Sequence, residues 1–208
     1  MCTESLSQPD IQDRKQRCFR LFLSLFGFLA VAFLAAGCCT DWWVVYSTKN
    51  KDRQSVFLTG HTGLWKTCIS PNSTVELCES ILTDGITLLP ELLPWLITLG
   101  VGILSVTVAE ILLLLHIRFM TRFLPSVAAA MFFLGGFTCL VGCLFLWILF
   151  NSYLPWYTKD RASLPALEGS IDWSFLLALV GSIYSVVYGM FLVLAIICAK
   201  RGFSDSLL

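Results

Sequence analysis

The sequence predicts an all-α membrane fold, a bundle of four transmembrane helices carrying a small antiparallel β-sheet on its outer side. Three observations lead there. Hydrophobic residues make up 57% of the 208-residue chain against 13% charged, and the mean hydropathy of +0.78 lies outside the balance of a soluble domain. The apolar residues gather into four blocks, each longer than the about 20 residues a helix needs to cross the hydrocarbon core. Between the first two blocks lies a segment rich in β-branched and aromatic residues that also holds a cysteine pair.

The blocks run from Leu21 to Trp43, Leu92 to Leu115, Phe123 to Phe150 and Trp173 to Ala199. Unpaired backbone amides are too costly in lipid, so blocks of this length must be helices. They divide the chain, expected to be one domain, into a tail over 1–20, loops over 44–91, 116–122 and 151–172, and a tail over 200–208. Four crossings put both tails on one side. Arg14, Lys15, Arg17 and Arg20 before the first helix, Arg118 and Arg122 between the second and third, and Lys200 and Arg201 after the fourth mark that side as cytoplasmic. Lys49, Lys51, Arg53, Lys66, Lys159 and Arg161 fall on the other side, so the argument rests on the residues that flank the helices tightly. The Asn72-Ser73-Thr74 sequon and the cysteine pair support the same orientation, because glycosylation and disulfide formation belong to the outer face. The expected location is the plasma membrane. The first twenty residues are polar and charged, so no cleavable signal peptide is expected and the first block serves as insertion signal and anchor.

The 44–91 loop is the one sizeable region outside the bilayer. Residues 43–48, 55–59 and 74–78 read as strands, with Asn50, Gly60, Gly63 and the Pro71-Asn72 pair as turns between them. So small a sheet has little core, and a disulfide across a short loop adds roughly 3 kcal/mol in the loop-entropy picture. Cys68 and Cys78 are the staple, and Asn72 between them is the glycan acceptor.

The order Trp43, then Gly63-Leu64-Trp65-Lys66-Thr67-Cys68, a short interval and Cys78 resembles the first extracellular loop of the superfamily that contains peripheral myelin protein, the epithelial membrane proteins, the claudins and the calcium-channel gamma subunits. Trp173-Ser174-Phe175 at the entry to the fourth helix is similar to a second motif of the myelin, epithelial and gamma branches. The resemblance implies a claudin-like fold, with a sheet of first-loop strands joined by one from 151–172 on a left-handed bundle. A non-enzymatic role is expected on the residues themselves. Claudins carry a basic residue before the second helix, whereas Glu79 to Trp95 holds Glu79, Asp84 and Glu91 with no Lys or Arg. Claudins usually have a very short first tail and end in Tyr-Val, unlike this chain. The expected role is therefore an accessory subunit of gamma type bound to a larger channel or receptor. The alternatives are a claudin-like adhesion protein that pairs with itself in cis or trans, or a myelin-protein-like membrane organiser.

Small residues recur at helical spacing in the third helix, at Gly135, Cys139 and Cys143 with Gly142 beside them, and in the fourth at Gly181, Ser185 and Gly189. That spacing lets backbones approach, either inside the bundle or at a lateral face for a partner. Glu110 is the one carboxylate deep in an apolar run. It is either a functional group, such as an ion contact or a polar link to a partner helix, or an acid that snorkels toward His116 and Arg118 at the helix end.

Cys38, Cys39, Cys139 and Cys143 read as packing residues, because no His or carboxylate shares the third helix to complete a metal site. Cys18 and Cys198, at cytoplasmic helix ends, are either palmitoylation sites or free thiols. Trp42, Trp43, Trp95, Trp156, Tyr157 and Trp173 read as an interfacial aromatic belt, while Trp65 is expected to pack on the sheet and disulfide or to meet a partner. The final Ser206-Leu207-Leu208 fits the Ser-x-apolar form of a PDZ ligand, with Ser206 and Leu208 as its anchors. A net charge of zero gives no reason to expect nucleic acid. No cofactor is expected. Catalysis finds little to work with, since the two histidines, His61 and His116, fall on opposite sides of the bilayer and no phosphate-binding glycine loop is present.

Overall fold

A computed structural model of the chain describes residues 8–49, 56–72, 75–80, 92–119, 123–160 and 167–205. Four long helices, α1 (Gln8–Cys39), α2 (Leu92–Phe119), α3 (Leu124–Asp160) and α4 (Trp173–Asp205), alternate in direction. Each contains a stretch long and apolar enough to cross a membrane: Leu21–Cys39, Leu93–Phe119, Leu124–Leu149 and Trp173–Cys198. Strands β1 (Val44–Lys49), β2 (Val56–Thr62), β3 (Lys66–Asn72), β4 (Val75–Ser80) and β5 (Leu167–Ile171) form one sheet at the end of the bundle where α1 finishes and α4 begins.

The helices depart from their apolar blocks at both ends. α1 stops at Cys39, short of Trp43, because the chain must turn there for Trp43 to fold back on the helix. α3 runs on to Asp160 through residues read from sequence as loop, with no glycine after Gly142 to end it. α1 begins at Gln8 in a polar stretch of Gln, Asp, Lys and Arg, with Pro9 at a position where a missing N–H costs nothing.

The sheet order is β4-β3-β2-β1-β5, with every neighbouring pair antiparallel. The fifth strand comes from the second loop, as the resemblance implied. Two turn assignments are corrected. Gly60 sits inside β2, opposite Tyr46 on one side and Ile69 on the other. Pro71 and Asn72 belong to β3, where the register shifts between Ile69 and Asn72, an irregularity of the kind that accommodates a residue with no N–H to give.

The core runs the length of the molecule, from Trp43 beneath the sheet through Leu34, Leu99, Val106 and Phe132 within the bundle. α2 packs along α3, α3 along α4 and α4 along α1, while α1 meets α2 over a shorter seam. Leucine, phenylalanine and valine side chains cover the outer surface of the helices, including Leu104, Leu134, Val187 and Leu194. That surface is suited to lipid, and helix association within it depends on close packing, since apolar burial gains nothing in hydrocarbon.

Candidate functional site

The last carbonyls of an α-helix have no partner within the helix, and at a membrane boundary they must find one elsewhere. At the end of α1 three side chains supply it in sequence. The Thr40 hydroxyl donates to the Ala36 carbonyl at 2.7 Å, the Trp43 indole to that of Gly37 at 2.7 Å, and the Trp65 indole to that of Cys38 at 2.6 Å. Thr40 and Trp43 lie just past the helix. Trp65 arrives from the turn between β2 and β3.

That turn is held against α1 by close contact. A Cβ on Gly63 would collide with the Asp41 backbone, so only glycine lets the two segments touch. The Gly63 amide donates to the Lys66 carbonyl at 2.9 Å, and Leu64 is buried beside it. Gly63, Leu64 and Trp65 thus serve as spacer, core plug and helix cap.

The start of α4 closes on the same place. The amides of Asp172 and Ser174 donate to the carbonyls of Trp43 and Trp42 at 3.0 and 3.3 Å. Ser174 is fully buried and shares a 2.7 Å hydrogen bond with Thr40, and the Phe175 ring meets Trp43 edge-on at 5.4 Å. A Cβ on Gly37 would lie 2.5 Å from the Ala178 nitrogen, so α1 and α4 approach closely there. The two sequence motifs therefore meet in space and form one joint between bundle and sheet.

Cys68 and Cys78 form a disulfide across β3 and β4, at directly opposed positions with Cα atoms 4.1 Å apart. Cys68 is buried and Cys78 exposed. Asn72 ends β3 and pairs with Val75 at the start of β4, so it is the last described residue on that side of the hairpin; Ser73 and Thr74 lie outside the described residues. Ser206 and Leu208 also lie outside them.

The small residues line internal seams. Built onto Gly135, a Cβ would come within 2.9 Å of Ser105 on α2; onto Gly142, 2.9 Å from Leu99; onto Gly189, 2.7 Å from the Phe133 nitrogen; and onto Gly181, 2.9 Å from the Leu34 nitrogen. Cys139, Cys143 and Ser185 are buried in the same seams. Sequence reasoning passed over their opposing partners. Gly102 faces Cys139, and Gly136 faces Ser185, each too close for a side chain. The adjacent pair Gly135-Gly136, one facing α2 and the other α4, is a signal that could have found them.

One aromatic and one cysteine assignment are corrected. Trp43 is wholly buried, a joint residue and not part of an interfacial belt. Trp42 stacks on His61 at 4.1 Å and Trp95 on Phe145 at 3.6 Å; the side chains of Trp156 and Tyr157 lie outside the description. Trp65 caps α1 through its indole nitrogen. Cys39 is exposed, since it follows the buried Cys38 around the helix, and Cys18 and Cys198 are exposed and outside any disulfide among the described residues.

Glu110 does not snorkel. It is 5% exposed, turned into the bundle, and accepts a hydrogen bond from Ser24 on α1 at 2.6 Å. Gly27 makes room for it, because a Cβ there would run into Glu110 Oε2. No group of three or more His, Cys, Asp or Glu able to hold a metal occurs among the described residues.

Four apolar helices joined at one end to an antiparallel sheet, with a tryptophan-capped first helix, define a multi-pass membrane protein. The PMP-22/EMP/MP20/Claudin family model matches residues 18–192, most of the chain, and the chain belongs to that family. No curated protein matches it individually.

Proposed function

We propose that the chain is a non-enzymatic accessory subunit that binds a larger multi-pass channel or receptor and shifts its gating or trafficking by favouring one conformational state. In this reading the sheet lies outside the cell and both tails inside, as the flanking arginines and lysines favour.

The observation that carries the reading is the make-up of the sheet's polar rows. Ser47, Thr59 and Ser70 stand opposite one another across β1, β2 and β3, a row of three neutral hydroxyl residues, with the acidic Glu168 opposite Ser47 on β5 at its edge. A path that selects ions by side-chain charge carries rings of one sign along it. Neutral hydroxyls suit hydrogen bonding to a partner protein better. The charged run Lys49, Lys51, Asp52 and Arg53, of mixed sign, points the same way, and so does the lack of a basic residue before α2.

Purification of the native complex in mild detergent, with its members identified by mass spectrometry, tests the proposal. A multi-pass channel or receptor recovered in fixed ratio supports it. Self-association with junctional scaffolds alone would replace it with the adhesion reading.

A further inference from the structure

Two buried polar atoms among the described side chains lack a hydrogen-bond partner, Glu110 Oε2 and the Tyr184 hydroxyl. Both lie between α1 and its neighbours, in the membrane-spanning part of the bundle. An unpaired carboxyl oxygen in hydrocarbon is costly enough to call for a reason.

The surroundings of Glu110 supply one. Its Oε1 takes the Ser24 hydroxyl, while Oε2 is directed at Gly27, where the edge of the Phe132 ring also closes in. Phe132 in turn meets the Tyr188 ring edge-on at 4.9 Å, and the Tyr188 hydroxyl donates to the Leu23 carbonyl on α1. Tyr188 and Leu23 also form a wall of a lipid-facing groove of about 290 Å³ between α1 and α4, completed by Phe22, Phe26, Tyr184, Val187 and Phe191. The Tyr188 and Phe132 rings thus stand between an aromatic groove and an acid with one oxygen free.

The chemistry of an occupant follows. A plain acyl chain fills the groove but brings no donor to Oε2, and an anion is repelled. An inorganic cation does not enter hydrocarbon unaided, and a single carboxylate offers it too few ligands. An alkyl amine meets both requirements, with a chain for the groove, donors for the carboxyl, and a charge that the aromatic walls accept during entry. We propose that the groove and Glu110 together bind a long-chain primary amine, its alkyl chain against Phe22, Phe26 and Phe191 and its ammonium paired with Glu110 Oε2. The head group reaches the acid past Tyr188, whose bond to Leu23 is the closure it must displace. This inference is independent of the accessory role.

The test uses the full chain in phosphatidylcholine nanodiscs, titrated with dodecylamine and, as a neutral match in length, dodecanol, with thermal unfolding as the readout. The charge pair is expected to make the amine bind about tenfold more tightly than the alcohol. Glu110→Gln is expected to abolish that preference. Because Glu110→Gln can itself disturb folding, Val187→Trp provides a second arm: Val187 is 53% exposed on the lipid face, so the larger ring blocks the groove without entering the core. Loss of the amine preference in Val187→Trp supports the site. An equal response to dodecanol in the native chain, or an amine preference that survives Val187→Trp, overturns it.

Discussion

The indole nitrogen of Trp43 donates to the carbonyl of Gly37 across 2.7 Å, so the chain that leaves α1 turns at once and seals the helix it has left. Gly37 takes part in a second way, because its missing side chain lets α4 press against the same turn at Ala178. Helix end, strand start and α4 entry are therefore positioned by one contact, and a change at either residue is felt in all three.

Trp43→Ala is expected to cost about 3–5 kcal/mol, the range for a large aromatic lost from a core, since it removes a fully buried ring and exposes the Gly37 carbonyl. Trp42→Ala, which removes a partly exposed ring stacked on His61, is expected to cost about 1 kcal/mol. Unfolding of the two variants in detergent, followed by tryptophan fluorescence, separates them. Equal destabilisation would show that Trp43 does not carry the joint.

Two glycines of α2 make a matched pair. Gly100 has nothing within 4 Å of where its Cβ would lie, whereas a Cβ on Gly102 would sit 2.5 Å from the Cys139 sulfur and 2.9 Å from the Gly135 carbonyl. Gly100→Ala is expected to be neutral or stabilising by up to about 1 kcal/mol through helix propensity. Gly102→Ala is expected to destabilise by about 1–3 kcal/mol as α2 is pushed off α3. Thermal unfolding in nanodiscs decides, and a harmless Gly102→Ala would mean that the α2–α3 seam is looser than described.

Cys68→Ser removes the disulfide between β3 and β4 and is expected to lower stability by about 3 kcal/mol, with the variant retained inside the cell. Surface biotinylation measures the retention. Normal surface delivery would refute a structural need for the bond.

Asn72→Gln is expected to remove one glycan and speed migration on a denaturing gel, because Asn72 stands at the very end of β3. An unchanged mobility would show either an unused sequon or the opposite orientation in the membrane.

Much of the fold was legible because the bilayer imposes simple demands. Twenty apolar residues in a row have no stable form in lipid except a helix, so four blocks specify four crossings whatever their neighbours. The sheet was legible in part, since β-branched and aromatic runs mark β1, β2 and β4 whichever way they pair. β3 was not, because Lys66, Thr67, Ser70 and Pro71 have no strand pattern of their own and are held by pairing to β2 and β4. The family motif could be found by its spacing, while what its residues do could not. Trp65 stands near Cys68 in sequence, yet its hydrogen bond reaches Cys38 on α1.

The sequence by itself determined the four helices, the sheet's place between the first two, and the family, because these depend on local composition and on residues at fixed intervals. Only the tertiary structure decided where Trp43, Trp65 and Glu110 point. A buried indole or carboxyl goes where a partner and a gap in the packing coincide, and the residues that make those gaps, Gly27, Gly37 and Gly63, come from segments far apart or carry no side chain to announce them.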